Sequence, residues 1–374
     1  MTTKPDNSGL LVIDKPQGVT SHDVVAAVRG ALHMKRVGHA GTLDPVATGV
    51  LVVGFGNATR LLNYIVDHDK TYLATIRLGQ RTTTDDADGE LLPGEGTIAE
   101  FPSRQTVEDA IAHHFTGRIE QVPNSYSAIK INGQRAYDLA REGKDVELKP
   151  RPVTISEFTV LDIRSGFVAG EQTAEPLRED ANTGAIPALD VDVRISCSSG
   201  TYIRALARDL GKELGVGGYL TRLRRTRVGR FALPDDASGL IAPEAMLDTR
   251  THTVTAHTDQ KTFTNREGQT VTRNKCVLDT PEGLAGDERR NWLLDHALTM
   301  EQAARGAMPA LDITPEEASE LRFGRRIERT ISPLPPLCRK RMMWRRLSSV
   351  QTLIRPSRSP YSPSRKVDAV KSAA

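Results

Sequence analysis

The sequence predicts a chain that combines α-helices with a β-sheet. Short apolar runs bounded by glycine, proline or aspartate indicate strands at 10–13, 50–55 and 71–78. Apolar residues at helical spacing indicate amphipathic helices at 21–33 and 202–214. Both kinds of element recur along the first 240 residues, so we expect one mixed domain there.

The element boundaries follow from capping and periodicity. Thr20 or Ser21 is the expected N-cap of the helix at 21–33, and Asp23 lies in its first turn. Thr314 is the corresponding cap for a helix near the end of the chain. Further helices are predicted at 107–115, 136–141, 300–307 and 315–323, and a further strand at 191–196.

The length of 374 residues suggests two or three domains. The expected divisions are a first domain at 1–245 with an insertion at about 99–152, a linker and partial C-terminal domain at 246–327, and a tail at 328–374. Residues 165–188 lack apolar periodicity and are predicted as a variable surface loop. The polar stretch 251–274 is either a linker or a poorly packed hairpin. The tail is rich in Ser, Pro and Arg, which predicts disorder.

Charge is distributed unevenly along the chain. The net charge is +3, from 50 basic and 47 acidic residues. Residues 329–374 hold eleven basic residues and one acidic residue, so the rest of the chain is acidic, which favours an appended basic arm. No apolar run approaches the roughly 20 residues of a membrane span, and no signal peptide is evident. Three widely spaced cysteines indicate neither disulfides nor zinc, and a cytoplasmic location is expected.

Several short patterns suggest cofactor or metal sites but lack the required context. A dinucleotide-binding loop at 54–59 would need a third glycine where Thr59 stands, so a turn is favoured. Residues 84–89 match part of a calcium loop, but Thr84 replaces its first aspartate and a strand precedes it. That segment is therefore predicted to be a solvated turn. The clusters at 67–69 and 113–114 are predicted to be solvated surface, so no metal site is expected.

The segment 202–230 is strongly basic. It contains eight basic and two acidic residues, a net charge of +6 within an otherwise acidic body. Apolar anchors at Leu220, Leu223 and Val228 lie between these charges. Such a pattern is typical of contact with phosphate groups and favours RNA, or another polyanion, over a merely solvated face.

Residues 38–49 form an unusual loop. Three glycines and a proline within twelve residues exclude a regular element. Asp44 lies between Leu43 and the apolar run that begins at Val50, which suggests a carboxylate in a partly apolar cleft. Such a group is a candidate nucleophile if a cation keeps it ionised. The alternative is an ordinary turn-forming aspartate before Pro45.

The same loop carries a family resemblance. Residues 38–51 read GHAGTLDPVATGVL, and they strongly resemble the catalytic loop of the bacterial tRNA pseudouridine-55 synthases, the TruB family. Further matching segments follow in the family's order, with x for a position that does not match: 15–21 (KPxGxTS), 70–72 (KTY), 79–89 (GQRTxTxDxxG), 127–130 (SAIK), 197–204 (CSSGTYIR) and 223–229 (LRRTxVG). The resemblance covers about residues 9–240.

The resemblance implies a fold and a reaction. The implied fold is α+β, with a mixed, largely antiparallel sheet, flanking helices, an RNA-clamping insertion and a small C-terminal domain. The implied reaction is the isomerisation of uridine 55 in the tRNA T-loop to pseudouridine, with the base flipped out of its stack. Asp44 would be the nucleophile, Arg204 its partner, and Tyr72 would stack on the target base. Attack on the ribose and attack on the base both remain open.

The resemblance also implies substrate contacts. His39 would enter the RNA stack where the base has left, Tyr202 would line the pocket and Leu223 would close its floor. Further substrate-binding residues implied by the matching segments are Lys15, Arg224 and Arg225, together with Lys130, Arg135 and Lys144 of the insertion. No cofactor and no metal is implied. The expected partner is the T-arm of tRNA, with no membrane association, and we expect a monomer.

The chain departs from the family pattern at Ala40, where threonine is usual, and at Asn124, where a second proline is common. Residues 300–327 resemble the start of an actinobacterial RNA-binding domain, but the pattern breaks after Thr330. The hypothesis is therefore a divergent or frame-shifted end.

Two other functions stay open. A catalytically silent RNA-binding protein would not need to keep both Asp44 and Arg204. A nucleoside hydrolase is disfavoured, because no second acid stands in a suitable motif.

Overall fold

The computed structural model describes residues 7–92, 100–124, 130–131, 134–135, 148–169, 174–179, 185–233, 252–265, 267–309 and 313–326. The chain divides into two units, residues 1–309 and 310–374. The predicted helix at 136–141 and the predicted tail at 328–374 lie outside the described residues.

One large sheet organises the first unit. Its strands are β1 (Gly9–Lys15), β2 (Val37–Ala40), β3 (Thr48–Phe55), β4 (Lys70–Leu78), β5 (Gly117–Gln121), β8 (Arg151–Ala169), β9 (Ala185–Cys197), β10 (Gly218–Val228), β11 (Phe231–Ala232), β12 (Thr253–Thr264) and β13 (Thr270–Leu278). The order is β13-β12-β1-β3-β10-β4-β9-β8-β5, with β2 on β3 and β11 on β10. Short strands β6 (Lys130–Ile131) and β7 (Gln134–Arg135) pair separately.

The pairing confirms a mixed, largely antiparallel sheet. Only β1 with β12 and β3 with β10 run parallel among the described strands. All other neighbours in the sheet are antiparallel.

Helices flank this sheet. They are α1 (Ser21–Leu32), α2 (Leu62–Ile65), α3 (Arg104–His114), α4 (Ile203–Glu213), α5 (Gly286–Asp295) and α6 (Met300–Ala307), while α7 (Pro315–Arg322) belongs to the second unit. Thr20 is the N-cap of α1, and its hydroxyl accepts from the amide of Asp23. The Asp23 carboxylate accepts in return from the Thr20 amide at 2.8 Å, which completes a capping box.

Alternation along β1 and β3 distributes the core over both faces of the sheet. Leu11 and Ile13 pack with α1 and α5, whereas Leu10 and Val12 pack with α2 and α6. A third cluster joins β4, β8 and β9 to α3 and α4. This third cluster includes Tyr72, and it forms the apolar side of the site described below.

Two sequence expectations need correction. Part of the predicted surface loop at 165–188 is strand, because β8 and β9 continue their ladder to Ala169 and Ala185. Val168 and Ala188 are buried there, so tertiary pairing overrides weak local propensity. The polar stretch 251–274 is a hairpin that pairs with β1, and α6 also packs on the sheet. The first unit therefore extends to Pro309 rather than ending at 245.

Candidate active site

The loop at residues 41–47 carries Asp44 and is held by the junction of β1 and α1. The Ser21 hydroxyl accepts from the Leu43 amide at 2.9 Å and donates to the Leu43 carbonyl at 3.1 Å. The Gly18 amide donates to the Pro45 carbonyl at 2.8 Å. Backbone groups on both sides of Asp44 are thus fixed, which holds its carboxylate just before the start of strand β3.

Lys15 lies beneath this Asp44 loop and is fully buried. Its ammonium group donates to the carbonyls of Ala47, Pro16 and Pro45 at 2.6, 2.9 and 3.4 Å. Burial lowers the pKa of Lys15 to about 8, although the Asp44 carboxylate acts in the opposite direction. These three bonds show that Lys15 supports the loop. Its contact with substrate stays a prediction.

Arg225 also supports the loop from below. Its Nε donates to the Val50 carbonyl and its Nη2 to the Gly41 carbonyl, both at 2.9 Å, and only 1% of the residue is exposed. Its contact with substrate likewise stays a prediction. Gly49 makes this packing possible, because a Cβ at that position would lie 2.1 Å from the Arg225 carbonyl oxygen.

Asp44 and Arg204 meet as the sequence predicted. Arg204 Nη2 lies 3.0 Å from Asp44 Oδ2. The Asp44 side chain is 40% exposed, whereas the Arg204 side chain is 7% exposed. The loop and the start of α4 thereby present a carboxylate to solvent on a buried cation. A charged group held in this way is preorganised for chemistry at the surface of the cleft.

A second acid, Asp86, holds Arg204 from behind. Arg204 Nη1 lies 3.2 Å from Asp86 Oδ2 and donates to the Thr84 carbonyl at 2.9 Å. Asp86 is buried, and its carboxylate also accepts from the Thr84 hydroxyl and from the Asp88 amide. Burial raises the pKa of Asp86, and the positive charge of Arg204 opposes that rise.

Sequence reasoning missed the role of Asp86. The segment 84–89 was expected to be a solvated turn, but its central acid faces inward and is only 3% exposed. The available signal was the match of residues 79–89 to the family, in which Asp86 is one of the matching positions.

Apolar side chains line the side of the cleft next to Asp44. Tyr72, Leu223 and Leu43 are buried in one cluster, with Ile203 at the start of α4. Adjacent strands place Tyr72 and Leu223 together, because β4 and β10 are paired at this level of the sheet. Burial raises the pKa of Tyr72 to about 12, so the phenol is neutral at physiological pH. The result is an apolar wall of the kind that a nucleobase can pack against.

Tyr202 and His39 are two further predicted substrate contacts. The Gln121 side chain bonds the Tyr202 backbone twice, accepting from the amide at 2.9 Å and donating to the carbonyl at 3.0 Å. The His39 ring makes an edge-on contact with the His22 ring, with centroids 5.5 Å apart. Burial lowers the pKa of His39 to about 4, and His22 adds to that lowering, so the imidazole is neutral at pH 7.

Four of the eight basic residues in segment 202–230 form ion pairs with acids. Three of its arginines pair with acids distant in sequence, Arg224 with Asp14 at 2.7 Å, Arg227 with Asp69 at 2.8 Å and Arg208 with Asp85 at 3.6 Å. The Arg224 pair is bidentate, so a phosphate would have to displace Asp14. A local charge count therefore overstated the free positive charge.

The remaining predicted contacts belong to the insertion. Lys130 and Arg135 lie in the β6–β7 hairpin, for which the backbone alone is described. Lys144 lies outside the described residues. Their contact with RNA stays a prediction.

The described ranges contain no group of three or more His, Cys, Asp or Glu side chains arranged to hold a metal ion. Each helix in those ranges is too short or too polar to cross a lipid bilayer.

Known proteins are similar to this chain over most of its length. Residues 29–203 match the N-terminal domain model of the TruB family of pseudouridylate synthases, and residues 204–258 match the C-terminal domain model of tRNA pseudouridylate synthase B. The tRNA pseudouridine synthase B of Bifidobacterium longum (strain DJO10A) is 84% identical over 347 residues, covering 87% of this chain and 90% of the relative.

More distant relatives carry the same name. The Arthrobacter protein is 46% identical over 86% of this chain and 82% of its own length. Among solved structures, a Cbf5-Nop10-Gar1 complex is 27% identical and covers 61% of this chain and 50% of that chain, with a TM-score of 0.42, which is too low to support an inference. The family matches and the identities over most of both chains establish that this chain belongs to the TruB family of pseudouridylate synthases.

Proposed function

We propose that this protein isomerises uridine 55 in the T-loop of tRNA to pseudouridine, with Asp44 as the nucleophile. The observation that carries this proposal is the Asp44–Arg204 pair, in which an exposed carboxylate stands on a buried guanidinium beside the apolar wall of Tyr72 and Leu223. Relatives named tRNA pseudouridine synthase B support tRNA as the substrate.

The reaction breaks the bond between ribose C1′ and uracil N1. The uracil then turns within the pocket and rejoins C1′ through C5, while N1 takes up a proton and C5 loses one. Atoms and electrons balance within the nucleoside, so the reaction requires no oxidant, reductant or group donor. Asp44 would form the transient covalent bond, either to the ribose or to the base.

The cleft supplies the other requirements of this reaction. A base inside a folded loop must leave its stack before the chemistry can begin. Tyr72 would stack on the extruded uracil, Leu223 would close the floor, and Tyr202 would line the opening. His39 is neutral, and its ring would fill the space that the base leaves in the RNA.

RNA recognition would rest on shape, through the T-arm, more than on the basic segment 202–230. Most of the arginines there are engaged internally, which leaves the insertion with Lys130, Arg135 and Lys144 as the proposed phosphate contacts. Arg224 would join them only if RNA displaces Asp14. We propose that a monomer carries the complete site, because Asp44, Arg204 and Asp86 all come from one chain.

The test is to incubate the purified protein with an unmodified tRNA transcript and map pseudouridine along it. We expect one pseudouridine at position 55, and none in a transcript with cytidine at that position. Asp44→Asn should yield no product at equal enzyme concentration. Equal yields from the wild type and Asp44→Asn would disprove the assigned nucleophile, and product at another uridine would disprove the assigned target.

A further inference from the structure

Asn124 and Asp85 form a partly buried contact next to the groups that bind Arg204. The Asn124 amide donates to Asp85 Oδ2, and Asn124 is 1% exposed. Asn124 lies outside the matching segments, and Asp85 lies between the matching positions of segment 79–89. The contact is therefore a feature of this chain that the motifs leave unexplained.

Asp85 stands in the same turn that holds Arg204. Its neighbours on either side, Thr84 and Asp86, provide the carbonyl and the carboxylate that bind Arg204 Nη1. Asp85 itself has a left-handed backbone with φ of 59°, and its carbonyl accepts from the Leu220 amide at 3.1 Å. A displacement of the Asp85 side chain would thus shift the groups that fix the guanidinium.

The segment that contains Asn124 also contacts the helix that carries Arg204. Gln121 is 2% exposed and brackets the Tyr202 backbone, two residues before Arg204. Arg208, one turn further along α4, donates to the Val122 carbonyl at 2.8 Å and lies 3.6 Å from Asp85. Residues 121–124 therefore contact both the start of α4 and the turn at 84–86.

We infer that residues 121–124 are positioning residues for Arg204. They hold the start of α4 and the turn at 84–86 in the arrangement that presents the guanidinium to Asp44. The inference rests on the proposed function, since it needs RNA as the ligand and Asp44 as the reacting group. It predicts an effect on turnover that exceeds the effect on RNA binding.

A swap of the two side chains provides the sharpest test. Asn124→Asp places two carboxylates in contact in a partly buried setting, and their repulsion should displace the Asp85 side chain. The double variant Asn124→Asp with Asp85→Asn restores one amide and one carboxylate, and asparagine accepts the left-handed backbone at position 85. Single-turnover rates and RNA dissociation constants would be measured for each with a T-arm transcript.

We expect Asn124→Asp to lower the single-turnover rate about tenfold or more, with the RNA dissociation constant within about threefold of wild type. The double variant should recover most of the rate. Asn124→Ala, which removes the contact without adding charge, should give a smaller loss with the same split. Asn63→Ala, at an exposed asparagine of α2, is the matched control and should leave both quantities unchanged.

Three outcomes would overturn the inference. They are an unchanged rate in Asn124→Asp, a double variant no faster than the single one, or a loss confined to RNA binding. If Asn124→Asp does not fold, as thermal unfolding would show, the rate and binding of Asn124→Ala decide alone by the same criteria. A wild-type enzyme that makes no pseudouridine would instead disprove the proposed function, so the two failures are distinguishable.

Discussion

Two buried arginines, one on strand β4 and one at the start of helix α4, pair with acids in contrasting ways. Arg77 on β4 binds Asp190 with two hydrogen bonds of 2.8 and 2.9 Å, and both side chains are less than 10% exposed. Arg204 divides its guanidinium between buried Asp86 and the 40% exposed Asp44. We refer to Arg77–Asp190 as the closed pair and to Arg204–Asp44 as the open pair.

The contrast indicates what would distinguish the proposed reactive ion pair from a structural one. Burial and pairing occur in both, so neither property by itself indicates a site. In the closed pair each carboxylate oxygen accepts a guanidinium hydrogen bond, and the pair is expected to contribute to folding. In the open pair a buried acid anchors the cation, which leaves the exposed acid available to a ligand.

The largest expected effect comes from neutralising the acid in each pair. Asp44→Asn should reduce pseudouridine formation by about 10³-fold or more, because the proposed nucleophile is lost, with little change in unfolding temperature. Asp190→Asn should do the reverse, lowering stability by about 3 kcal/mol while turnover stays within about threefold of wild type. Thermal unfolding and single-turnover assays on both variants would measure this.

The comparison would fail if the two variants behaved alike. Asp190→Asn with a turnover loss as large as that of Asp44→Asn would show that the closed pair also serves catalysis.

The second expected effect comes from replacing the cation. Arg204→Lys keeps the charge but cannot reach Asp44, Asp86 and the Thr84 carbonyl together, so turnover should fall by about 10²-fold. Arg77→Lys, its matched control, should lower stability with turnover nearly unchanged. Near-normal turnover in Arg204→Lys would show that charge alone suffices and that the divided geometry is dispensable.

The third effect isolates the buried anchor. Asp86→Asn retains the shape of the side chain but removes the charge behind Arg204, so we expect turnover to fall by about tenfold and RNA affinity to stay unchanged. Single-turnover rates at saturating enzyme would measure the loss. A rate equal to that of wild type would mean that the negative charge of Asp86 is not needed to hold Arg204 in place.

The sequence was sufficient for the open pair and insufficient for its anchor. A motif marked Asp44, and the same family match marked Arg204, although they lie 160 positions apart. Asp86 resembled a surface turn residue, because its burial depends on Arg204 and on the packing of β10, which no local pattern reveals. Arg224 and Arg227 likewise pair with the distant Asp14 and Asp69, which lowers the free positive charge of segment 202–230 below the value counted from the sequence.

The elements of the fold show the same difference between local signals and long-range pairing. Strong local signals, such as the capping box at Thr20 and the apolar run of β3, gave correct elements. The continuation of β8 through Ala169 and the parallel pairing of β12 with β1 were not predictable, because weakly propensive residues are recruited there by neighbouring strands.

The smallest expected effect concerns pH and the environment next to the open pair. The pKa of His39 falls from 6.5 to about 4 on folding, mainly through burial, so the unfolded chain binds the proton more readily. The stability that neutral His39 permits is complete above pH 6.5 and is lost as the pH falls towards 4. Because the ring is only partly buried, we expect about 1 kcal/mol of loss between pH 7 and pH 5.

His39→Gln removes this titrating group, so its free energy of unfolding should fall less than that of wild type over the same interval. Urea unfolding at pH 7 and pH 5 would measure both slopes, with His113→Gln on the exposed side of α3 as the control. Equal slopes for wild type and His39→Gln would mean that the ring stays solvated. In that case the imidazole would be neutral at pH 7 because of its ordinary pKa. The surroundings of Asp44 would then be more hydrated than those of the closed pair.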